Sequence, residues 1–186
     1  LVLELIGGED GPAKAVCEAA IAAGRHGVTA NKALLAMHGN ALATAAEAAG
    51  VSLNYEAAIA GGIPIVKALR EGLAGNRVTR VYGILNGTCN YILTEMREER
   101  LSYETVLADA QKLGYAEAEP SVDVDGIDAA HKLALLASLA FGTKVNFEGV
   151  YTEGIRKGAL EDIDYAEEFG YRIKLLGSAR MTDHGL

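Results

Sequence analysis

The sequence predicts a chain in two parts, mixing α/β and α+β character: a parallel β/α segment over residues 1–50 and an α+β part over residues 51–186. Three observations predict it. The apolar runs Leu1–Ile6 and Val28–Thr29 flank an Ala-rich stretch, the β–α–β rhythm that builds parallel sheets. Proline stands just after glycine loops at Gly11-Pro12 and Gly62-Ile63-Pro64, where a helix begins. Beyond residue 50 the parallel rhythm weakens, giving way to alternating strands and amphipathic helices.

Each element follows from local chemistry. Residues 1–6 predict a buried strand and Gly7–Gly11 a loop. A helix from Pro12 to about Ala23 turns Val16, Ala19, Ala20 and Ala23 inward and ends at Gly24. Arg25–Thr29 is a short strand. Ala30–Gly50 is helical with an expected break near His38-Gly39, and Val51–Ala57 returns to strand. Pro64–Leu73 predicts a helix, Arg77–Leu85 an alternating strand, and Asn86-Gly87-Thr88 a turn into a helix reaching about Met96. Ser102 caps a helix over Tyr103–Leu113. A polar loop over Gly114–Val122 precedes a long helix near Val124–Phe141, then a helix near Asp162–Phe169 and an alternating strand over Gly170–Arg180.

Composition excludes several function classes. Half of the 186 residues are hydrophobic and 23% are charged, which rules out disorder as a description of the whole. The net charge of −8, from 17 basic and 25 acidic residues, argues against nucleic-acid or anionic-membrane partners. No run of about eighteen apolar residues lacks a charge, as a membrane-spanning helix would require. The apolar start carries no basic lead-in of the kind signal peptides have. Cys17 and Cys89 lie far apart without CxxC spacing, which fits reduced thiols in a cytoplasmic protein. The chain opens inside a strand pattern and closes on a strand with no later pairing partner, so it is expected to be a piece of something longer.

Several constellations could carry chemistry. Glu117, Glu119, Asp123 and Asp125 place four carboxylates in nine residues; they read either as a solvated loop at a helix start or as a polar ligand site. Asp128 and Lys132 follow at i and i+4 on a helix that is otherwise almost wholly apolar. A desolvated pair costs several kcal/mol unless fully partnered, a cost that a polar ligand can offset. A lysine so placed can donate a proton. Lys32, in Val28-Thr29-Ala30-Asn31-Lys32, sits where a strand feeds a helix, the edge of the ligand crevice in parallel sheets; an ordinary surface lysine is the alternative. Glu56 to Pro64 could wrap a carboxylate and carbonyls around a hard cation, or be a plain strand-to-helix turn. Asn86–Asn90 is a helix cap or a ligand-facing turn. The histidines His26, His38, His131 and His184 lack metal spacing, and Cys89 has no evident base.

Four stretches together resemble homoserine dehydrogenase: VTANKALLA (28–36), YEAAIAGGIPIVKALREGL (55–73), GILNGTCNYIL (83–93) and GYAEAEPSVDVDGIDAAHKLALLA (114–137). They occur in the family's order and span most of the chain. The resemblance implies an NAD(P)-dependent enzyme, using NADP or NAD, that interconverts L-aspartate 4-semialdehyde and L-homoserine on the way to threonine, methionine and isoleucine. Residues 1–50 would be the later part of an incomplete, Rossmann-like NAD(P)-binding domain, lacking the GxGxxG segment. Residues 51–186 would be the substrate and catalytic domain, whose sheet pairs subunits into a homodimer. By the same resemblance Lys132 would be the proton donor, while Glu117 and Asp128 hold the substrate ammonium and hydroxyl with Asp123 nearby. Lys32 would face the nicotinamide and substrate carboxylate, and Gly114 would approach the cofactor. Glu56 with the carbonyls of Ile59, Gly61 and Ile63 matches a sodium site. Two other readings are a non-catalytic dimerisation or binding module of the same fold, and a related NAD(P) oxidoreductase acting on another small aldehyde.

Overall fold

A computed structural model of the chain describes residues 1–183 and residue 185. His184 therefore lies outside the described residues. The chain divides into two compact units. The first comprises Leu1–Val81, His131–Val150 and the residues from Ala179 on; the second comprises Tyr82–Ala130 and Tyr151–Ser178.

In the first unit β1 (Val2–Glu4), β2 (Gly27–Thr29) and β3 (Leu53–Asn54) form a parallel sheet in the order β1-β2-β3. Val2 pairs with Gly27, and Gly27 with Leu53, so the parallel sheet reaches past residue 50. Helices α1 (Pro12–Ala22) and α2 (Lys32–Ala48) make the crossovers. Pro12 opens α1 where its missing N–H is no loss, and Gly11 takes a φ of 73° at the cap. Ala13, Cys17 and Ile21 of α1 pack with Leu34, Leu42 and Ala46 of α2, with Val51 and Leu53 beside them. The buried face of α1 is thus rotated from the expected Val16, Ala19, Ala20 and Ala23 stripe, sharing only Ala20.

Helix α2 is continuous, which corrects the expected break at His38-Gly39. A single helical glycine costs about 1 kcal/mol relative to alanine. Here the helix lies against its core through Leu34, Leu35 and Leu42, and that burial outweighs the cost. The helix expected over Pro64–Leu73 is also different: Pro64 is the cap, α3 (Ile65–Lys67) is one turn, and residues Ala68–Gly72 widen into a π-helical turn. The Leu73 amide reaching the Ala68 carbonyl at 2.8 Å closes that wider turn.

In the second unit, α4 (Gly87–Glu99), α5 (Tyr103–Lys112) and α6 (Ser121–Val124) precede the start of α7 (Ile127–Phe141), and α8 (Leu160–Glu168) follows. Its core joins Cys89, Ile92, Leu93 and Met96 of α4 to Val106 and Ala110 of α5, with Val124, Ile155 and Ile163. Ser102 caps α5 as expected. The long helix starts later than residue 124 because Asp125 ends α6 and Gly126, at φ 83°, turns the chain.

A separate two-stranded sheet pairs β4 (Arg80–Gly83) with β5 (Gly177–Arg180). The closing strand thus finds its partner earlier in the chain, and it is shorter than Gly170–Arg180. Leu175 does not join the ladder because the Asn90 side chain of α4 takes both its amide and its carbonyl instead, while the Lys174 ammonium reaches the Thr94 hydroxyl. Among the described residues no helix is long and apolar enough to cross a membrane.

Both cysteines are buried. Burial pushes the Cys17 thiol up, with Glu4 and Glu18 adding to it. Burial and then Asp123, Asp128 and Asp125 push Cys89 up to about 12. Since the thiolate is the reactive form, a disulfide reagent at neutral pH is expected to leave both cysteines unmodified in the native protein and to titrate both after unfolding. Rapid native-state labelling of Cys89 would contradict this packing.

Candidate active site

The second unit gathers polar side chains at the N-terminal end of α4. Asn86 is 4% exposed and caps the helix by accepting from the Cys89 amide at 2.8 Å. Its side-chain NH2 donates to the Asp123 carboxylate at 2.8 Å and to Asp128 Oδ2 at 2.9 Å. A primary amide has one carbonyl and two N–H donors. At Asn86 all of them are engaged, and two carboxylates are held by one group. Asp128 is only 5% exposed and stands in the first turn of α7, where the helix dipole favours a negative charge.

Neighbouring groups brace this arrangement. The Cys89 thiol donates to the Asp123 carbonyl at 3.1 Å. Asn90 donates to the Asn86 carbonyl at 2.9 Å and exchanges hydrogen bonds with the Leu175 backbone. Thr88 donates to the Tyr115 carbonyl at 3.0 Å, tying the loop after α5 to the start of α4. The segment around residue 155 straps α6 from outside. The Ile155 amide donates to the Val124 carbonyl at 2.8 Å, and the Arg156 guanidinium grips Asp125 through two nitrogens while reaching Ser121 Oγ at 2.7 Å. The Ser121 hydroxyl and amide in turn hold Glu119 below the usual carboxylate range.

The remaining expected residues fall as follows. Glu117 has an exposed side chain, and its carbonyl is held by Gln111 Nε2 at 2.9 Å. Gly114 ends α5 at φ 78°, its amide donating to Gln111 and the Tyr115 amide to Ala110, a glycine-terminated helix end. A Cβ there would meet nothing, so the space above it is open. Lys132 is half-buried one turn beyond Asp128 on α7.

In the first unit, Lys32 is the first residue of α2, directly after its cap Asn31 and at the carboxyl end of β2. Glu56, Ile59, Gly61 and Ile63 share one turn. The Glu56 carboxylate accepts from the Val66 amide at 2.7 Å and the Lys67 amide at 3.1 Å, so it caps α3. What the turn offers a cation is main-chain carbonyl oxygen, the donor type hard cations take. The strand-end position of Lys32, beside glycines open to approach at Gly7 and Gly8, suits a dinucleotide.

Sequence reasoning weighed Asn86 as a cap or a ligand-facing residue, and it proves to be a cap that also holds the two aspartates. It missed Arg156 and Gly154, which leave no local signal, and Glu4, which did: a single acid in an apolar strand. At Gly154 an added Cβ would overlap the Val124 carbonyl oxygen and the Asp125 backbone. Gly154→Ala is therefore expected to displace the strap and destabilise the chain by about 1–3 kcal/mol in chemical denaturation, as overpacking does; an unchanged midpoint would show that the contact is slack.

Comparison with known proteins bears on this geometry. The family model described as homoserine dehydrogenase matches residues 64–184. A homoserine dehydrogenase of Pseudomonas aeruginosa is 55% identical over 185 residues, all of this chain and 42% of that protein. The crystal structure of a homoserine dehydrogenase from Thiobacillus denitrificans superposes with a TM-score of 0.96 at 56% identity, covering 98% of this chain and 42% of that one. A hyperthermophilic archaeal homoserine dehydrogenase solved in complex with NADPH is 25% identical with a TM-score of 0.78, over 95% of this chain and 52% of its own. The chain thus spans less than half the length of the two bacterial relatives. Matched across 64–184 by the family model and along its whole length by these relatives, the chain belongs to the homoserine dehydrogenase family.

Proposed function

We propose that the chain serves the NAD(P)-dependent interconversion of L-homoserine and L-aspartate 4-semialdehyde, with the parallel β/α segment, from residue 1 past residue 50 to β3, as the later part of the dinucleotide-binding domain and the chain beyond it, to residue 186, as the substrate domain. One observation carries the reading: Asn86 holds Asp123 and Asp128 together at the start of the helix that bears Lys132 one turn on. The NADPH complex of the archaeal relative supports a nicotinamide dinucleotide, NADP in the first instance, and the strand-end position of Lys32 is where it would lie.

The bound dinucleotide supplies the hydride to the aldehyde carbon in the reducing direction. The chain's own groups do the rest. Asp128 and Glu117 bind the substrate ammonium and hydroxyl, with Asp123 alongside, and Lys32 faces the substrate carboxylate. As charge builds on the carbonyl oxygen, the Lys132 ammonium stabilises it and transfers a proton to it, leaving the alcohol. In the oxidising direction the neutral amine takes that proton back. The turn of Glu56, Ile59, Gly61 and Ile63 would hold a sodium ion through carbonyl oxygens. The exposed Tyr82, Ile84 and Leu176 near the two-stranded sheet support a homodimer formed through that sheet. A small-molecule biosynthetic step of this kind fits the cytoplasm.

Lys132→Ala, in the enzyme that contains this chain, is expected to slow NADPH oxidation by semialdehyde about 10²–10⁴-fold while circular dichroism stays unchanged. Near-normal turnover in that variant would remove Lys132 from the role of proton donor.

A further inference from the structure

Glu4 is a charged side chain in a place where an apolar one would cost less. It is 2% exposed, in the middle of the apolar run that forms β1, and burying a carboxylate costs several kcal/mol unless it is fully hydrogen-bonded. Its partners are all in place. Oε1 accepts from the Ile6 amide at 2.7 Å and the Gly7 amide at 3.2 Å, and Oε2 accepts from the Thr29 hydroxyl. Burial pushes the carboxyl up, but the Thr29 hydroxyl, the two amides and the Asn31 side chain outweigh it, so Glu4 lies below its ordinary value and is ionised at neutral pH.

The bonds continue beyond the carboxylate and return to it. Thr29 Oγ1 accepts from the Asn31 amide at 3.0 Å. Asn31 Nδ2 donates to the Gly8 carbonyl at 2.6 Å, while Asn31 Oδ1 accepts from the Leu34 amide at 3.1 Å and caps α2. The circuit therefore runs from Glu4 to Thr29, Asn31, Gly8 and back through the Gly7 amide. It fixes the exit of β1 relative to the exit of β2 and the first turn of α2, where Lys32 stands. Gly7 and Gly8 take φ values of 88° and 82°, and a Cβ on Gly7 would meet nothing within 4 Å. The turn is thus a bare stretch of backbone held rigidly from behind by a buried charge.

We infer that Glu4 is a positioning residue: through Thr29 and Asn31 it holds the open face of the Gly7-Gly8 turn in register with Lys32, preforming the surface against which the nicotinamide dinucleotide lies. This rests on the dinucleotide reading of the strand-end crevice given above. Glu4 touches no reacting atom in this role. The negative charge is the working feature, because an amide at this position would present an NH2 to one of the three donors that now point at the carboxylate.

Glu4→Gln, Thr29→Val and Thr29→Ser separate these claims, with amide hydrogen exchange and NADPH titration measured on the enzyme that contains this chain. In Glu4→Gln and Thr29→Val the Ile6 and Gly7 amides are expected to exchange about 10–100-fold faster, the loss of one charge-assisted hydrogen bond, while the interior of α2 at Leu42 and Ala46 keeps its protection. The NADPH dissociation constant is expected to rise about tenfold in both variants, whereas Thr29→Ser, which keeps the hydroxyl, restores wild-type exchange and affinity. Unchanged exchange at Ile6 and Gly7 in Glu4→Gln overturns the circuit. Faster exchange with unchanged NADPH affinity overturns its positioning role. A wild-type enzyme containing this chain that binds no NADPH counts against the functional reading itself and takes the positioning role with it, while the exchange data still decide whether the circuit exists.

Discussion

The second unit depends on one primary amide. Asn86 joins α4 to two later elements: it caps α4 with its carbonyl, and its two N–H groups hold Asp123 of α6 and Asp128 of α7. The aspartates are 37 and 42 residues away from it, so the bridge fixes long loops as well as two charges. Two carboxylates converging on one spot repel each other, and only a neutral group offering two donors and no further charge can hold both without adding to the balance. Aspartate at this position would add a third negative charge. Lysine would offset one of the two charges but leave the Cys89 amide without its cap.

The first unit uses a related device with the numbers reversed. There one carboxylate, Glu4, is held by several neutral donors, and an asparagine, Asn31, again divides its amide between capping a helix and reaching a distant loop. In each unit the polar cluster sits where elements begin or end, because that is where helices and strands leave main-chain groups unpaired. The apolar cores behind the clusters, built on α1 and α2 in one unit and on α4 and α5 in the other, are what make the clusters rigid. Substrate-binding groups on such ends are held in place before ligand arrives, so little of the binding free energy goes to ordering them.

Much of this was legible in the sequence. The glycine–proline start at Pro12, the Ser102 cap, the β–α–β rhythm and the Asp128/Lys132 spacing are local signals, and the elements they predict are present. What failed were inferences where tertiary packing overrides local preference. Gly39 does not break α2 because one face of that helix, Leu34 to Ala46, is packed in the core. Leu175 does not extend β5 because Asn90 bonds to its backbone amide and carbonyl first. The acids and lysines proposed for the site were named from the sequence, but the support given to Asp123 and Asp128 was not. Asn86, Arg156 and Gly154 owe their roles to partners that no spacing rule connects, whereas Glu4 stood out as a lone acid in an apolar strand and could have been noticed.

The bridge itself is the claim on which the rest stands, and a double-mutant cycle measures it directly. Asn86→Ala, Asp128→Asn and the double variant would be compared by denaturant unfolding, with the coupling taken as the departure from additivity. A hydrogen bond from a buried amide to a carboxylate predicts a coupling of about 1.5–3 kcal/mol between the two positions. Additive effects, with coupling within about 0.3–0.5 kcal/mol of zero, would mean that Asn86 does not hold Asp128, and the proposed arrangement of the substrate-binding carboxylates would lose its foundation.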